Sequence, residues 1–310
     1  TLYYKKDWGF CVTHKQYEIL KKEKEKLKIV IDTSLKKGRM YYGEALVKGR
    51  LKKEILLSTY ICHPQMANDN LSGIVTLLFL TKFIMKKKRK YSYRILFCPE
   101  TIGAIAFLKK NIKNINKIYT AVVLTTCGGP GKFSFKESFQ KDHEVNHIVK
   151  KTFNDMDIKF VQHPFVPLGS DERQFSSHPF RLNSISIFKN KYYEYKYYHT
   201  SKDNLDYVTN SNLTLSLKVY KKLISNFEKL DFFKKKINGC EVMLSKHKLF
   251  SRVGGQYNNE QDFTSKMLKI LFYSDGFHST SAISKKTLIK ESQVLKISNY
   301  LKKKKILNKV

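Results

Sequence analysis

The sequence predicts an α/β protein, with a mainly parallel sheet sandwiched by helices and a small all-helical domain at the C-terminal end. Three observations support this prediction. Short apolar runs alternate with longer helical segments through the first two thirds of the chain, as in proteins whose parallel sheet is covered on both faces. Polar loops follow several of these runs, where open α/β sheets carry their ligand sites. The composition then shifts near residue 234, and 310 residues suffice for one large and one small domain.

The strands are predicted from runs of apolar and β-branched residues that are bounded by turn signals. The first two runs are joined by Lys36-Lys-Gly-Arg39, which favours a turn. The run 54–61 and most later ones carry few polar residues, which is typical of strands buried on both faces. The predicted strands cover 27–33, 40–48, 54–61, 93–98, 118–126, 158–162 and 182–188.

The helices are predicted from apolar residues at helical spacing and from their end signals. The helix at about 72–86 runs into Lys86-Lys-Lys-Arg-Lys90, and positive charge at the C-terminal end of a helix is favourable. We interpret that cluster as a solvated helix end rather than as a phosphate site. Further helices are predicted to end near Asn111 and to cover 142–155 and 211–229.

The C-terminal domain is predicted to contain three short helices, over 263–273, 280–288 and 291–307. Their lengths and the glycine turn at Ser274-Asp-Gly276 resemble a winged-helix module. DNA binding is one interpretation of such a module. A helical docking domain is favoured, because lysine is abundant everywhere in this chain and no arginine follows Arg252. The predicted domains are an α/β domain over 1–237, a linker over 238–262 and the winged-helix-like domain over 263–310.

The chain is strongly basic, with a formal net charge of +33. Such a charge usually suggests a nucleic acid or anionic partner. However, only seven of the 59 basic residues are arginines, and arginine leads in base readout and bidentate phosphate binding. The abundance of Lys, Asn, Ile, Tyr and Phe also fits an AT-biased genome. We therefore expect salt-sensitive nonspecific binding rather than a dedicated nucleic-acid site.

Other features of the composition limit the class of protein and its expected cellular environment. The apolar share of 42% suffices for a buried core, and the absence of a long apolar run predicts no membrane span. No signal peptide is recognisable, and the start at Thr1 suggests that an N-terminal part is missing. The five cysteines are scattered and odd in number, so we expect no disulfide framework and a reducing, cytoplasmic setting. Three of them end apolar runs and are interpreted as small buried side chains rather than metal ligands: Cys62, Cys98 and Cys127.

The loop Cys62–Gly73 is the strongest functional signal. It follows the apolar run 54–61 and precedes an apolar helix, so it lies at the carboxyl end of a predicted strand. His63 and Asp69 stand six residues apart in it, and an imidazole with a carboxylate is a ligand pair suited to zinc. The alternative is an ordinary strand-to-helix turn in which Asp69 or Ser72 caps the helix.

Three further residues sit in polar loops near strand ends: Glu100, Asp171 and His199. With His63 and Asp69 they provide imidazoles and carboxylates to hold an ion, and one further carboxylate to take a proton from water. Taken singly, Asp171 could be a turn residue and His199 a surface histidine. The five residues together indicate metal-assisted hydrolysis.

At these residues the chain resembles the co-catalytic zinc exopeptidases, the group that contains bacterial leucyl aminopeptidases and glutamate carboxypeptidase. It is more closely similar to bacterial aminopeptidase-like proteins that carry a C-terminal winged-helix-like domain. The resemblance covers nearly the whole chain. Its motifs are Lys5-x-x-Trp8-Gly9-Phe10-Cys11, His63-Pro64-x-Met66-Ala67-Asn68-Asp69-Asn70, Pro99-Glu100-Thr101-Ile102-Gly103, Tyr198-His199-Thr200-Ser201-x-Asp203-Asn204 and Asn238-Gly-Cys-Glu241.

The resemblance implies a role for each matching position. His63, Asp69 and Asp171 would hold one zinc, and Asp69 would face a second metal position together with His199. Glu100 would be the general base. Further implied features are a cis peptide bond after Asp69, a Ser-Asp-x-x-x-Phe pattern at Ser170 and Phe175, and Asp203 as a partner that orients His199.

One position departs from the family pattern. The exopeptidases usually have a second glutamate after the base, as a ligand of the second metal, whereas this chain has Thr101. Threonine is a poor zinc ligand, so we expect one firmly bound zinc and a weak or empty second site.

The leading hypothesis from the sequence is a zinc-dependent amide or peptide hydrolase with a peptide or small amide substrate and no membrane partner; an oligomer is possible. The alternative is a metallopeptidase-fold protein without peptidase activity that serves in surface polysaccharide or glycan assembly. A nucleic-acid-binding protein that uses the C-terminal domain is a third. Aromatic residues that line the substrate cleft or simply pack a loop are Trp8, Tyr192, Tyr193, Tyr195, Tyr197 and Tyr198.

Overall fold

A computed structural model describes residues 8–34, 36–237, 239–249 and 263–310. The chain divides into two compact units. The first unit comprises Thr1–Val47, Glu54–Lys87 and Tyr93–Lys222, and the second comprises Lys48–Lys53, Lys88–Ser92 and Leu223–Val310. The predicted linker over 238–262 lies partly outside the described residues, and the domain limits stay predictions.

The described strands and helices follow one another through both units. The strands are β1 Gly43–Val47, β2 Glu54–Tyr60, β3 Ser92–Cys98, β4 Ile118–Leu124, β5 Phe133–Lys136, β6 Phe160–His163, β7 Asn183–Phe188, β8 Phe232–Lys235, β9 Asp275–Ser279 and β10 Leu307–Lys309. The helices are α1 His14–Leu20, α2 Ser72–Met85, α3 Ile102–Asn111, α4 Glu144–Asn154, α5 Asp171–Ser176, α6 Asn210–Phe227, α7 Phe263–Tyr273, α8 Thr280–Thr287 and α9 Glu291–Lys303. Short turns of other helix types cover Ala67–Leu71, Ile115–Lys117 and Leu244–His247.

The first unit is built on a mixed, mostly parallel sheet. Among the described residues, its seven strands are ordered β1-β3-β2-β4-β7-β5-β6. β4 pairs in parallel with β2 and with β7, whereas β1 runs antiparallel to β3 and β5 runs antiparallel to β7. The carboxyl ends of β2, β4 and β7 therefore share one edge. Ile61 N–H donates to Cys98 C=O at 3.0 Å, so the residues that follow β2 and β3 begin side by side at that edge.

The core of the first unit explains why the apolar runs were recognisable. Every residue of β2, β4 and β7 is buried, as expected for strands covered on both faces. One cluster joins β2, β3 and β4 to the helices that cover them and includes Leu56, Leu96, Phe107, Val123 and Phe175. Burying such side chains removes apolar surface from water and stabilises each by about 1.5–3 kcal/mol.

Most predicted elements of this unit are confirmed to within a few residues, and one is wrong. The described residues 27–33 form no strand; Val30 is 77% exposed there, since the segment has no neighbouring strand to pair with. The sequence interpretation also missed α1, β5 and α5, because each has only four to seven residues. Cys98 and Cys127 are buried as predicted, whereas the prediction for Cys62 is wrong because its side chain is exposed.

The second unit confirms the three predicted C-terminal helices but is not all-helical. β8, β9 and β10 form an antiparallel sheet in the order β10-β8-β9. The prediction missed these strands because they are short and alternate apolar with polar residues only briefly. Its core contains Phe233, Met267, Ile283, Val294 and Leu301. None of the described helices is both long and apolar enough to cross a membrane.

Candidate active site

The loop after β2 places a buried carboxylate at the shared edge of the sheet. Asp69 is 1% exposed, and the Asp69–Asn70 peptide is cis, as the resemblance implied. Tyr60 O–H donates to Asp69 Oδ1 at 2.5 Å, and His199 Nε2 lies 3.2 Å from Asp69 Oδ2. Helix α2 begins at Ser72 with no side-chain cap. Asp69 therefore faces the residues of the candidate site and is not the helix cap of the alternative interpretation.

Asp203 holds the backbone of this loop. Its buried carboxylate accepts the N–H of Asn68 at 2.6 Å and the N–H of Asp69 at 3.0 Å, and Tyr195 O–H donates to it at 2.9 Å. Asn68 Oδ1 in turn accepts the backbone N–H groups of Gly128 and Gly129 at 3.0 and 2.9 Å. Asp203 thus contacts the backbone amides of the loop that carries Asp69, and its role in orienting His199 stays a prediction.

Gly73 is required where α2 starts against the sheet. A Cβ there would lie 2.8 Å from Leu124 C=O and 2.8 Å from Thr59 Oγ1, far closer than an ordinary contact. Only a residue without a side chain lets the helix begin this close to the strands. This close approach helps to bring the loop with Asp69 to the sheet edge.

Glu100 follows β3 at the same edge. Its N–H donates to Cys62 Sγ at 3.3 Å, and Ser170 O–H donates to its Oε1. Burial raises the pKa of Glu100 above its usual value, and the hydrogen bond from Ser170 opposes the rise. A carboxylate with a raised pKa next to an imidazole is suited to take up a proton near neutral pH.

Asp171 lies beside this carboxylate, in a different hydrogen-bonding setting. It is 0% exposed and accepts the N–H of Thr101 at 2.6 Å on Oδ1. Burial raises the pKa of Asp171 to about 7, although the Thr101 amide opposes the rise. Thr101 takes a positive φ of 64°, a backbone conformation uncommon outside glycine.

A buried ion pair supports the loop that carries Ser170 and Asp171. Lys136 Nζ lies 2.9 Å from Glu172 Oε1, and both side chains are at most 3% exposed. Glu172 Oε1 also accepts the N–H of Ser170 at 3.1 Å, and Ser186 O–H donates to Oε2 at 2.9 Å. Because the pair is surrounded by further hydrogen bonds, the desolvation of its charges is partly offset and the loop is held in place.

His63, Asp69 and His199 form a set of donors that could share one metal ion. Their ligand atoms all lie within 4.8 Å of one another, and the two imidazole rings are 4.9 Å apart between centroids. The hydrogen bond to Asp69 raises the pKa of His199. Two imidazoles and a carboxylate are a ligand set that zinc prefers.

A second set shares only His63 with the first. The ligand atoms of Cys62, His63 and Glu100 also lie within 4.8 Å of one another. Asp171 belongs to neither set within the described part of the chain. The structure therefore brings four of the five predicted residues into these two sets and leaves Asp171 beside them, so its metal role stays a prediction.

The tyrosine-rich loop after β7 divides into packed and open side chains. Tyr192 and Tyr195 are 6% and 8% exposed, whereas Tyr193 is 66% exposed. Tyr198 stacks on His199 with ring centroids 3.9 Å apart. Trp8 is 64% exposed and stacks on Phe10. The buried rings of Tyr192 and Tyr195 therefore pack within the loop, whereas the exposed rings of Tyr193 and Trp8 are accessible to a substrate.

Sequence reasoning missed two residues of the site. Tyr60 was interpreted only as part of the apolar strand run 54–61, and Cys62 was interpreted as a buried core thiol. Both directly flank the strand end that carries His63, and that position was the signal that could have identified them.

Comparisons with known proteins place the chain in a family. A family model described as "Domain of unknown function (DUF4910)" matches residues 7–230. A Clostridium acetobutylicum protein described as "Putative polysaccharide biosynthesis protein with aminopeptidase-like domain" is 38% identical over 287 residues, which are 93% of this chain. The chain spans only 65% of that relative's length.

Solved structures share the fold. The crystal structure of a putative peptidase from C. acetobutylicum matches with a TM-score of 0.69 and 34% identity, covering 100% of this chain and 69% of the other. The zinc aminopeptidase BSAP from Bacillus subtilis matches with a TM-score of 0.51 and 13% identity, covering 59% of this chain and 49% of the other. At that identity the likeness to BSAP concerns the fold alone.

Proposed function

The chain belongs to the DUF4910 family and has a zinc aminopeptidase-like fold, and from this premise we propose that it is a zinc-dependent amide or peptide hydrolase. The observation that carries the proposal is the convergence of His63, Asp69 and His199 beside Glu100 at the carboxyl edge of the sheet. The two donor sets share His63, so the candidate metal ligands lie next to Glu100, the candidate proton acceptor. Metal-assisted hydrolysis needs both.

A zinc would be held by His63 and Asp69 together with a third ligand. The spacing of the donors offers His199 for that place. The resemblance implies Asp171 there instead, with His199 at the second position. Bound zinc would supply a Lewis acid that polarises the substrate carbonyl and lowers the pKa of a bound water. Tyr60 and Asp203 keep Asp69 and its loop in one orientation. We propose one firmly held zinc and a weak second position, since Thr101 replaces the second glutamate of the resembling enzymes.

Glu100 would act as the general base. Ser170 O–H occupies Oε1, which leaves Oε2 to accept the proton of the attacking water. Glu100 would then return that proton to the leaving amine. The raised pKa of Glu100 brings its carboxylate and carboxylic acid forms closer in free energy near neutral pH. Glu100 can therefore both accept the proton from water and return it to the amine. The open ring of Tyr193 would contact the substrate side chain.

A second candidate is a metallopeptidase-fold protein without peptidase activity that acts in polysaccharide assembly. Thr101 favours it, as does the description of the C. acetobutylicum relative as a putative polysaccharide biosynthesis protein.

For the second unit, we propose a winged-helix-like docking module. The proposal rests on the order of elements over residues 263–310, which is helix, strand, two helices and strand. Binding of nucleic acid by bulk charge alone should fade steeply with added salt.

The first test combines metal analysis with hydrolysis of a peptide library by the purified chain. The hydrolase proposal expects about one tightly bound zinc per chain and cleavage of at least one amide class. Bound zinc without cleavage of any peptide would favour the second candidate. Two tightly bound equivalents would contradict the single firm site.

The second test is Glu100→Gln, with Asp206→Asn as the matched control. Glu100→Gln should reduce kcat/KM by about 100- to 10,000-fold, because it removes the proton acceptor, while the zinc content stays unchanged. Asp206 is exposed and, within the described ranges of the chain, its hydrogen bonds join it to the nearby Asn204, so its variant should keep full activity. Full activity in Glu100→Gln would show that the assigned role is wrong.

A further inference from the structure

Cys62 contacts two groups of the candidate active site. Its Sγ accepts the N–H of Glu100 at 3.3 Å and lies 3.5 Å from His63 Nδ1. The side chain is exposed, so a dissolved ion can reach it. The ligand atoms of Cys62, His63 and Glu100 lie within 4.8 Å of one another, close enough to contact one ion.

The two donor sets differ in chemical character. The set His63, Asp69 and His199 offers nitrogen and oxygen only, whereas the set with Cys62 adds the sulfur of a thiol. Thiolate ligands favour soft cations such as zinc over magnesium or calcium, which prefer oxygen. The nitrogen of His63 that lies near Cys62 is Nδ1. The site with the thiol is therefore distinct in selectivity from its neighbour.

We propose that Cys62, His63 and Glu100 form a second cation position that takes a soft divalent ion when that ion is in excess. On binding, the thiol of Cys62 releases its proton to solvent and the sulfur forms a bond to the ion; no electron is transferred. This position is not the second site of the resembling exopeptidases, which relies on a glutamate where this chain has Thr101.

Occupation of this position has a functional consequence, which rests on the proposed hydrolase function. An ion bound to the Glu100 carboxylate would compete with the proton of water for that carboxylate. The ion also competes for His63, which the two donor sets share. A soft cation in excess is therefore an inhibitor, and Cys62 gives the protein its sensitivity to that ion.

The test uses cadmium as the probe, with the full chain. Cadmium bound to a thiolate absorbs in the ultraviolet and shifts the ¹¹³Cd resonance strongly downfield. The variants are Cys62→Ser and Glu100→Gln, with Cys240→Ser as the matched control because Cys240 is also exposed. We expect Cys62→Ser to lose the thiolate signal of the tightest sulfur-bound cadmium and Glu100→Gln to weaken it, while Cys240→Ser keeps it.

Other outcomes overturn the proposal. If Cys62→Ser retains the thiolate signal, another cysteine is the ligand. If cadmium binds with nitrogen and oxygen ligands only, Cys62 is merely a hydrogen-bond partner of His63 and of the Glu100 amide. X-ray absorption of protein loaded with excess zinc gives an independent answer, since a sulfur ligand lies at about 2.3 Å from zinc.

Hydrolysis assays separate the two proposals. With an active enzyme, cadmium in excess should inhibit wild type more strongly than Cys62→Ser. If no variant hydrolyses any amide, the proposed function fails, while the spectroscopic signal still decides whether Cys62 ligates the ion. A wild type inhibited no more strongly than Cys62→Ser would contradict the inhibitory role.

Discussion

The loops after β2 and β3 lie side by side but are held in different ways. In the first, Tyr60 fixes the Asp69 carboxylate and Asp203 binds two backbone amides, so both side chain and main chain are tied to other segments. In the second, the N–H groups of Glu100 and Thr101 donate to Cys62 and Asp171, and the Glu100 carboxylate accepts a hydrogen bond from Ser170 O–H. The loops therefore differ in how their carboxylates are held: Tyr60 orients Asp69, whereas burial raises the pKa of Glu100 and the hydrogen bond from Ser170 opposes that rise.

The largest effect is expected from Asp203→Ala. It should lower the free energy of unfolding by about 2–6 kcal/mol, because each of the two buried amides left without an acceptor costs about 1–3 kcal/mol. Zinc affinity should fall as well. Urea unfolding and metal titration measure both effects.

Two further variants sharpen this test. Asp203→Asn keeps one acceptor oxygen and should recover part of the lost stability. Asp206→Ala, in the same segment but exposed, should change it by less than about 0.5 kcal/mol. Equal stability in Asp203→Ala and Asp206→Ala would show that the first loop is not held as described.

A smaller effect is expected from Tyr60→Phe. Removing the hydrogen bond to Asp69 should cost about 1.5–3 kcal/mol of stability. Zinc affinity should fall about 10- to 100-fold, as for other partners that orient metal ligands. Isothermal titration of zinc and denaturant unfolding give the two quantities.

Tyr119→Phe is the matched control for Tyr60→Phe. Tyr119 is also buried, and its O–H donates to Glu144 Oε2 at 3.0 Å, away from the candidate site. Its loss should reduce stability without changing zinc affinity. If both variants lose zinc equally, Tyr60 has no specific role at the metal site.

The smallest effect is expected from Ser170→Ala, and it concerns pH. The hydroxyl of Ser170 lowers the pKa of Glu100, so its removal raises that pKa further. A general base works in its deprotonated form, so the acid limb of kcat/KM against pH should move to higher pH. Ser177→Ala, at an exposed serine that bonds to Gln174, should leave the profile in place. A shift to lower pH would contradict the tuning of the second loop.

Sequence reasoning was most successful where a single short segment carries the information. The buried runs that became β2, β4 and β7 were recognisable because a strand covered on both faces is continuously apolar. Residues 27–33 show the limit of that reasoning. Their apolar residues fit a strand equally well, but a strand needs a partner, and pairing is decided by the rest of the fold.

The sequence by itself determined the fold class, the strand ends with His63, Asp69 and Glu100, and the unusual Thr101. Only the tertiary structure decided that Cys62 is exposed beside Glu100, that Asp203 binds the amides of Asn68 and Asp69, and that Asp171 accepts the amide of Thr101. The physical reason is the range of the interactions. Apolar periodicity is a property of neighbouring residues, whereas the hydrogen bonds from Asn68 and Asp69 to Asp203 join residues 135 and 134 positions apart and depend on how the sheet aligns its edges.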